Sequence, residues 1–524
     1  MDDIEIIEEI PQPDDPTPAV DINANEAAKY DSPVREFYQG STVFLTGGLG
    51  FLGKLYIEKL IQCGVAEILL LSRGKKGKTP IERLTAILEK EPVFTSYHKD
   101  PEFYLQKIKI IDGDVSKHQL GISNDDLSYI HSNANVFIHA AADVRFDESL
   151  KEAVETNVRG THEILKIAEH TKNIKSFVYV STAFSQCNRE RIEEKFYPPV
   201  VDPFLLIKMV EQKELDVNFE IVGKKLIEPW PNTYAFTKSL AENLVYQYSD
   251  RIPVGMIRPS IVTSTHADPI PGWTDNVYGF NGVVIGVATG ALRIFHIYDN
   301  YRAEIIPVDV VVNATLALGY RASQNPQEAQ IVNCTNTDNP ISWGLVRHEQ
   351  LKWKTKIPFL GALWVPTYNT TKFYAKSEFL KIFYHVLPAI FFDLALRIKG
   401  EKPKVLGLYR KVHKFSDVIR FFTTNQWDFA DENFKKIRES LTEDDRKLFP
   451  CETKTLEWTN FLAQHIMGLR MYIMKEKWDN LEKAKSKYWK QQLVHYVLVA
   501  VLYSLIGYSL LKLVDAYARR FIEV

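Results

Sequence analysis

Tyr234 and Lys238 stand four residues apart in PNTYAFTKSLAE, the stretch from 231 to 242. On a helix that spacing puts both side chains on one face, one turn apart. An ammonium beside a phenol favours the phenolate and draws a pKa of about 10 toward the working pH, so the tyrosine can give a proton to a substrate oxygen. Upstream, SFVYVSTAFSQ is a β-rich run ending in Ser181 and Thr182, and a hydroxyl from either would hold such an oxygen beside the phenol. Tyr-x-x-x-Lys is common by chance. Its place downstream of a glycine turn and a hydroxyl-ended strand singles this pair out.

These residues need a scaffold that brings a strand end to a helix start. STVFLTGGLGFLGKLYIEKLIQCG reads as strand, turn and helix, with apolar residues 43–45 followed by Leu52, Leu55, Ile57, Leu60 and Ile61 at helical spacing. Gly47 permits a tight turn, Gly50 lets the backbone approach a pyrophosphate at the helix N-terminus, and Gly53 allows close helix packing. A second apolar strand ends at Arg73, twenty residues after Gly53, where dinucleotide folds commonly carry an acid on the ribose hydroxyl. A guanidinium there pairs with a 2′-phosphate, which favours NADPH over NADH, with Lys75 and Lys76 as helpers. KIKIIDGDVS ends a third strand near Asp114, and NVFIHAAADVRFDE runs a fourth into the small residues 140–142, leaving room for a nicotinamide. Strands alternating with helical patterns predict an α/β fold with a doubly wound parallel sheet of Rossmann type.

The chain has 524 residues, 45% hydrophobic and 25% charged, with a net charge of -2. That length exceeds one compact core, and the charge balance offers no basic excess for nucleic acid. Cys63, Cys187, Cys334 and Cys451 lie far apart without CxxC or Cys/His spacing, which indicates neither a disulfide framework nor a metal site. Residues 1–36, dense in Asp, Glu and Pro, read as a disordered acidic tail and not as a secretory signal. Residues 37–341 are expected to form the catalytic domain and residues 342–475 a mainly helical one. Within the latter, LKIFYHVLPAIFFDLALRIKG holds Lys381, His385, Pro388, Asp393 and Arg397, too many polar positions for a spanning helix. A helix packed on the first domain is favoured over a hydrophobic lip that admits an acyl chain or rests on a membrane. Residues 493–511 carry no Asp, Glu, Lys or Arg and are long enough to cross a bilayer. The lysines before them favour a tail anchor with the catalytic part cytosolic, in the endoplasmic reticulum or peroxisome membrane.

The ordered set TGGLGFLG, GDVS, AADVRFDESLKEAVETNVRGT, FVYVSTAF, PNTYAFTKSLAE, IRPSIV, PIPGWTDN and IPVDVVVNA resembles the alcohol-forming fatty acyl-CoA reductases, extended short-chain dehydrogenase/reductases. The likeness is dense over residues 42–314 and looser through FYHVLPAIFFDLALRIKGEKP. It implies that Tyr234 is the proton donor, that Lys238 lowers its pKa and contacts the nicotinamide ribose, and that Thr182 fills the family's Ser/Thr position. Asn157 resembles the asparagine that supports the lysine or a bound water. The cofactor contacts so implied are Gly47, Gly50, Phe51, Leu52, Gly53, Arg73, Asp114, Val115, Ala141, Tyr234 and Lys238. The reaction implied is reduction of a long-chain acyl-CoA by NADPH through an aldehyde to the alcohol. The sequence departs from the family in TGGLG for TGGTG, in Phe184 for tyrosine and in Phe280 for proline. Arg145, Lys151, Lys224 and Lys225 are candidates for holding CoA phosphates, with solvated surface charge the favoured account of each. A hydroxysteroid or sugar-nucleotide dehydrogenase of the same fold, or a silent NADPH-binding scaffold, are the competing readings.

Overall fold

Seven apolar runs pair in one parallel sheet: β1 (Thr42–Thr46), β2 (Glu67–Ser72), β3 (Ile108–Asp112), β4 (Val136–His139), β5 (Ser176–Val180), β6 (Val254–Pro259) and β7 (Gln330–Cys334). The computed structural model describes residues 27–212 and 223–522. The strand order is β7-β6-β5-β4-β1-β2-β3, so the winding reverses between β1 and β4 and leaves a crevice beyond their carboxyl ends. Alternate strand residues enter two different cores. Val43, Leu45, Ile68, Leu70 and Ile138 face α-helical cover on one side, while Phe44, Leu69, Phe137, Phe177 and Tyr179 face the other. Burial on both faces is why these strands read as unbroken apolar runs.

The expected acidic tail gives way before its assigned end. Residues 1–26 lie outside the described residues, but α1 (Pro33–Tyr38) is capped by Ser32 and buries Val34 and Tyr38. Ser32 Oγ donates to Asp445 Oδ1 at 2.5 Å, and Tyr38 OH donates to the Leu316 carbonyl at 2.9 Å. An average over the acidic stretch hides these few anchoring residues.

The helical region does not begin cleanly at residue 342. A third core joins Phe280, Val283, Phe295 and Ile305 to Trp343, Ile419, Phe461 and Ile466. Leu448, Phe449 and Cys451, near the other end of the chain, pack into the first core against the sheet.

The helix over Tyr374–Ile398 is built inside out. Its buried positions are Ser377, Lys381, His385, Ala389 and Asp393, one every four residues, whereas Phe379, Phe391 and Ile398 are 59%, 69% and 80% exposed. The polar side chains are used inward. Asp393 accepts the Lys404, Val405 and Leu406 amides, and His385 Nε2 accepts the Arg293 amide at 3.1 Å while Nδ1 meets His413 Nε2 at 2.9 Å. The segment thus packs on the first domain at Arg293, as expected, but does so through its polar stripe. A long helix over Leu481–Ile522 is exposed through its apolar stretch, and both helices are long and apolar enough to cross a membrane. Gln491 donates to the Ala362 carbonyl at 3.2 Å and Trp364 Nε1 donates to His495 Nδ1 at 3.3 Å, tying the base of the long helix to the folded body.

Candidate active site

The glycine turn works through backbone space. Gly47 has φ +74, and a Cβ there would stand 2.8 Å from the Ala141 amide; one on Gly53 would stand 2.1 Å from the Gly47 carbonyl oxygen. The turn thus presses against the loop after β4 while the helix over Phe51–Gln62 starts with no side-chain cap and no acid in its first turn. Its free amides and positive dipole end suit a diphosphate. At the end of β2, Arg73 Nη1 contacts Asp114 Oδ2 at 2.6 Å. Burial raises the Asp114 carboxyl, but hydrogen bonds from Ser116 and Arg73 outweigh it and hold it below the usual carboxylate range. Arg83, on the helix over Pro80–Lys90, reaches back to the Arg73 carbonyl and to Ser72 Oγ at 3.4 Å. It adds a cation that the sequence reading missed, because its signal is only an arginine ten residues beyond the strand.

The candidate catalytic helix, Thr233–Tyr248, is capped by Asn232, whose Oδ1 accepts the Ala235 amide at 2.8 Å. Tyr234 is half-buried in its first turn, with the Phe146 ring stacked at 5.9 Å. Burial pushes the Tyr234 phenol above its ordinary range, and a hydrogen bond with Thr182 pulls it partly back. Thr182 is extended at the end of β5, and its Oγ1 accepts the Phe184 amide at 3.3 Å.

Lys238 points differently from expectation. Its Nζ donates to the Val180 carbonyl at 2.7 Å and to Tyr179 OH at 3.3 Å. Burial lowers the ammonium to about 7, opposed by the negative charge of Glu242. Glu242 sits one turn further on and is locked by Arg258 Nε and Nη2, both at 2.8 Å, and by Ser181 Oγ at 2.6 Å and Ser185 Oγ at 2.7 Å. Both partners are almost fully buried. This pair lies inside the motifs SLAE and IRPSIV, yet nothing in either motif reveals that they meet.

Asn157 occupies a π-helical turn, Val154–Arg159, a bulge of the kind frequent at functional sites. Its Nδ2 donates to Thr237 Oγ1 at 3.0 Å and to the Asp143 carbonyl at 3.1 Å, and its Oδ1 accepts the Asp143 amide at 2.7 Å. It therefore clamps the loop after β4 to the catalytic helix, one residue short of Lys238, from behind the site. His139 beside it is buried between Thr46 and Thr161, and burial followed by the Lys238 charge hold it well below its ordinary pKa.

Gly47, Gly50, Phe51, Leu52, Gly53, Arg73, Asp114, Val115, Ala141, Thr182, Tyr234 and Lys238 all line one cleft of about 740 Å³. Asn157 is absent from that lining. The far wall is aromatic: Phe422, from the helix over Val405–Thr424, packs 5.5 Å from Phe146 and 5.0 Å from Phe184. Phe280, Phe295 and Trp343 continue it. Two of the residues at which the sequence departs from its resemblance, Phe184 and Phe280, thus shape this wall.

Residues 45–315 match the NAD-binding domain of the male sterility protein family, and residues 384–476 match its Sterile domain. That match supports a nicotinamide cofactor. Among curated proteins, fatty acyl-CoA reductase wat of Drosophila melanogaster is 38% identical over 494 residues, covering 93% of this chain and 95% of its own. Fatty acyl-CoA reductase 1 of Homo sapiens is 34% identical over 477 residues, with coverage of 90% and 92%. The fold is like that of the terminal R domain from the myxalamid PKS-NRPS biosynthetic pathway, at TM-score 0.55, 18% identity and coverage of 85% and 96%. It is also like the reductase domain of a nonribosomal peptide synthetase from Mycobacterium tuberculosis, at TM-score 0.53, 17% identity and coverage of 87% and 99%. Sequence identity sustained over nine-tenths of both chains means that the protein belongs to the fatty acyl-CoA reductase family.

Proposed function

We propose that the protein reduces long-chain acyl-CoA to fatty alcohol with NADPH, at the face of a membrane. The observation that carries this reading is the floor of the cleft. Tyr234 and Thr182 meet there between a phosphate-type glycine turn flanked by Arg73, Lys75 and Arg83 and a wall of aromatic rings. The three cations suit a 2′-phosphate and so favour NADPH. When bound, the cofactor supplies one hydride to the thioester carbonyl carbon and, in a second round, one to the aldehyde carbon. Thr182 hydrogen-bonds the carbonyl oxygen. Tyr234, held protonated by burial, donates its proton to that oxygen as negative charge develops. The resulting hemithioacetal loses CoA thiol, and no covalent bond to the protein is needed.

The inside-out helix supports the membrane reading. At Phe392 it comes near the base of the long apolar helix, since Trp364 contacts both Phe392 and His495. Two apolar surfaces on one side suit a bilayer into which substrate chain and product alcohol partition.

Tyr234→Phe is expected to lower turnover by about 10³-fold for acyl-CoA and aldehyde alike while NADPH binding, followed by fluorescence, is retained. Undiminished turnover in that variant overturns the reading. Thiol release with two NADPH consumed per alcohol, across a panel of long-chain acyl-CoAs, is the positive result. For the membrane seat, Phe391→Asp with Ile398→Asp is expected to reduce partition onto vesicles after the long helix is removed by proteolysis; unchanged partition would sink it.

A further inference from the structure

A groove of about 780 Å³ adjoins the cleft, and Phe146 belongs to the walls of both. Phe146 is the ring stacked on Tyr234, so the groove lies one aromatic side chain away from the proton donor. One side of it is the start of the catalytic helix. The other is a single stripe on the helix over Val405–Thr424, where residues three or four apart share a face.

That stripe carries Arg410, Lys414 and Arg420 against one acid, Asp417, with His413 held below its ordinary pKa by burial. Among the described residues, the Arg410 guanidinium has no hydrogen-bond or ion-pair partner. Lys414 Nζ meets Asp147 at 2.6 Å in a pair that is more than half exposed on both sides, so it exchanges partners at little cost. Arg420 lies 4.4 Å over the Tyr374 ring, and Asp417 is 3.7 Å from Lys381. Across the groove, Asn232 is 7% exposed and its Nδ2 is buried without a partner, while its Oδ1 caps the catalytic helix. A buried amide donor with nothing to bond is costly unless a ligand oxygen meets it.

Cations on a helical stripe, a stranded amide donor and the partly buried Phe421 ring form a receptor for a polyanion that carries an aromatic base. Resting on the acyl-CoA reading above, we infer that this groove binds the phosphoadenosine end of the CoA. Arg410 and Lys414 meet its phosphates, and the pantetheine arm passes Phe146 to bring the thioester to Tyr234. The two nucleotides of the reaction then lie at opposite ends of the cleft: the cofactor at the glycine turn, the CoA beyond Phe146.

The aldehyde half-reaction provides the test, because hexadecanal carries no CoA. In detergent, Arg410→Glu with Lys414→Glu is expected to raise KM for palmitoyl-CoA on the order of tenfold, leaving KM for hexadecanal and NADPH unchanged. Wild-type enzyme given S-palmitoyl-pantetheine, which lacks the phosphoadenosine, should show the same high KM as the variant. The palmitoyl-CoA KM of wild type should rise with salt and that of the variant should not. An unchanged palmitoyl-CoA KM overturns the assignment. So does an equal rise for hexadecanal, which would mean that the cations serve lipid phosphates or the fold. Wild-type enzyme that reduces hexadecanal but no acyl-CoA would instead overturn the reading beneath.

Discussion

The proposed cofactor end of the cleft is walled by main chain, and the end proposed for the acyl chain by side-chain rings. At the first, Gly47, Gly50 and Gly53 lie within seven residues, and what matters is the space their missing Cβ atoms leave. At the second, Phe146, Phe184, Phe280 and Phe422 come from one loop and three helical elements spread over about half of the chain. A backbone cradle tolerates almost no change in its own residues but leaves its neighbours free. A wall of rings tolerates change at each position and sets the shape of what it admits. The two ends of one cleft are thus under different physical constraints, and a family can keep its cofactor while altering its acyl group.

Phe422→Ala tests that contrast most severely. The ring is 9% exposed, and its loss should cost about 3 kcal/mol of stability, read as a lowered thermal midpoint. Chain-length discrimination should be blurred and the NADPH Kd left alone. A changed Kd would show that the two ends are mechanically coupled. The converse substitution, Arg73→Ala with Arg83→Ala, should weaken NADPH by about thirtyfold and NADH hardly at all, with acyl-chain preference retained. Equal weakening of both cofactors would mean that the cations brace the strand end and do not read a phosphate.

The smallest effect is in pH. Lys238 is lowered to about 7 by burial, so between there and its ordinary value the unfolded chain holds a proton that the folded chain does not. This group's contribution to stability therefore rises with pH through that window. Cofactor binding, which brings negative charge and favours the ammonium, should weaken by up to about tenfold over the first pH unit above 7. Calorimetry in two buffers should detect proton uptake, and Lys238→Met should abolish both effects. Binding that is flat with pH in the unsubstituted protein would deny Lys238 this part.

How much was legible follows the same division. Strand, turn and helix around Gly47–Gly53, the Tyr234 and Lys238 spacing, and the parallel sheet depend on residues close in sequence, and spacing exposes them. Arg83, Phe422 and the Glu242–Arg258 pair act through contacts made only once the chain has folded, and no local pattern announces them. Even Lys238 was legible in place but not in posture: its bond to the Val180 carbonyl depends on a strand reached by long-range pairing. The segment over Tyr374–Ile398 was legible in part for a related reason. Its polar residues argued against a spanning helix, but that their spacing of four directs them inward and turns the apolar ones out shows only in the fold.

Leu448, Phe449 and Cys451 were described as part of the core under the sheet, and α1 as hydrogen-bonded to Asp445. During synthesis, then, the nucleotide-binding half leaves the ribosome long before the residues that cover it. Part of the core on its first face stays open until more than four-fifths of the chain has been made, and the apolar helix over Leu481–Ile522 follows almost at once. The nascent enzyme must keep two greasy surfaces apart, one destined for its own interior and one long and apolar enough to cross a membrane, within a single short interval of translation.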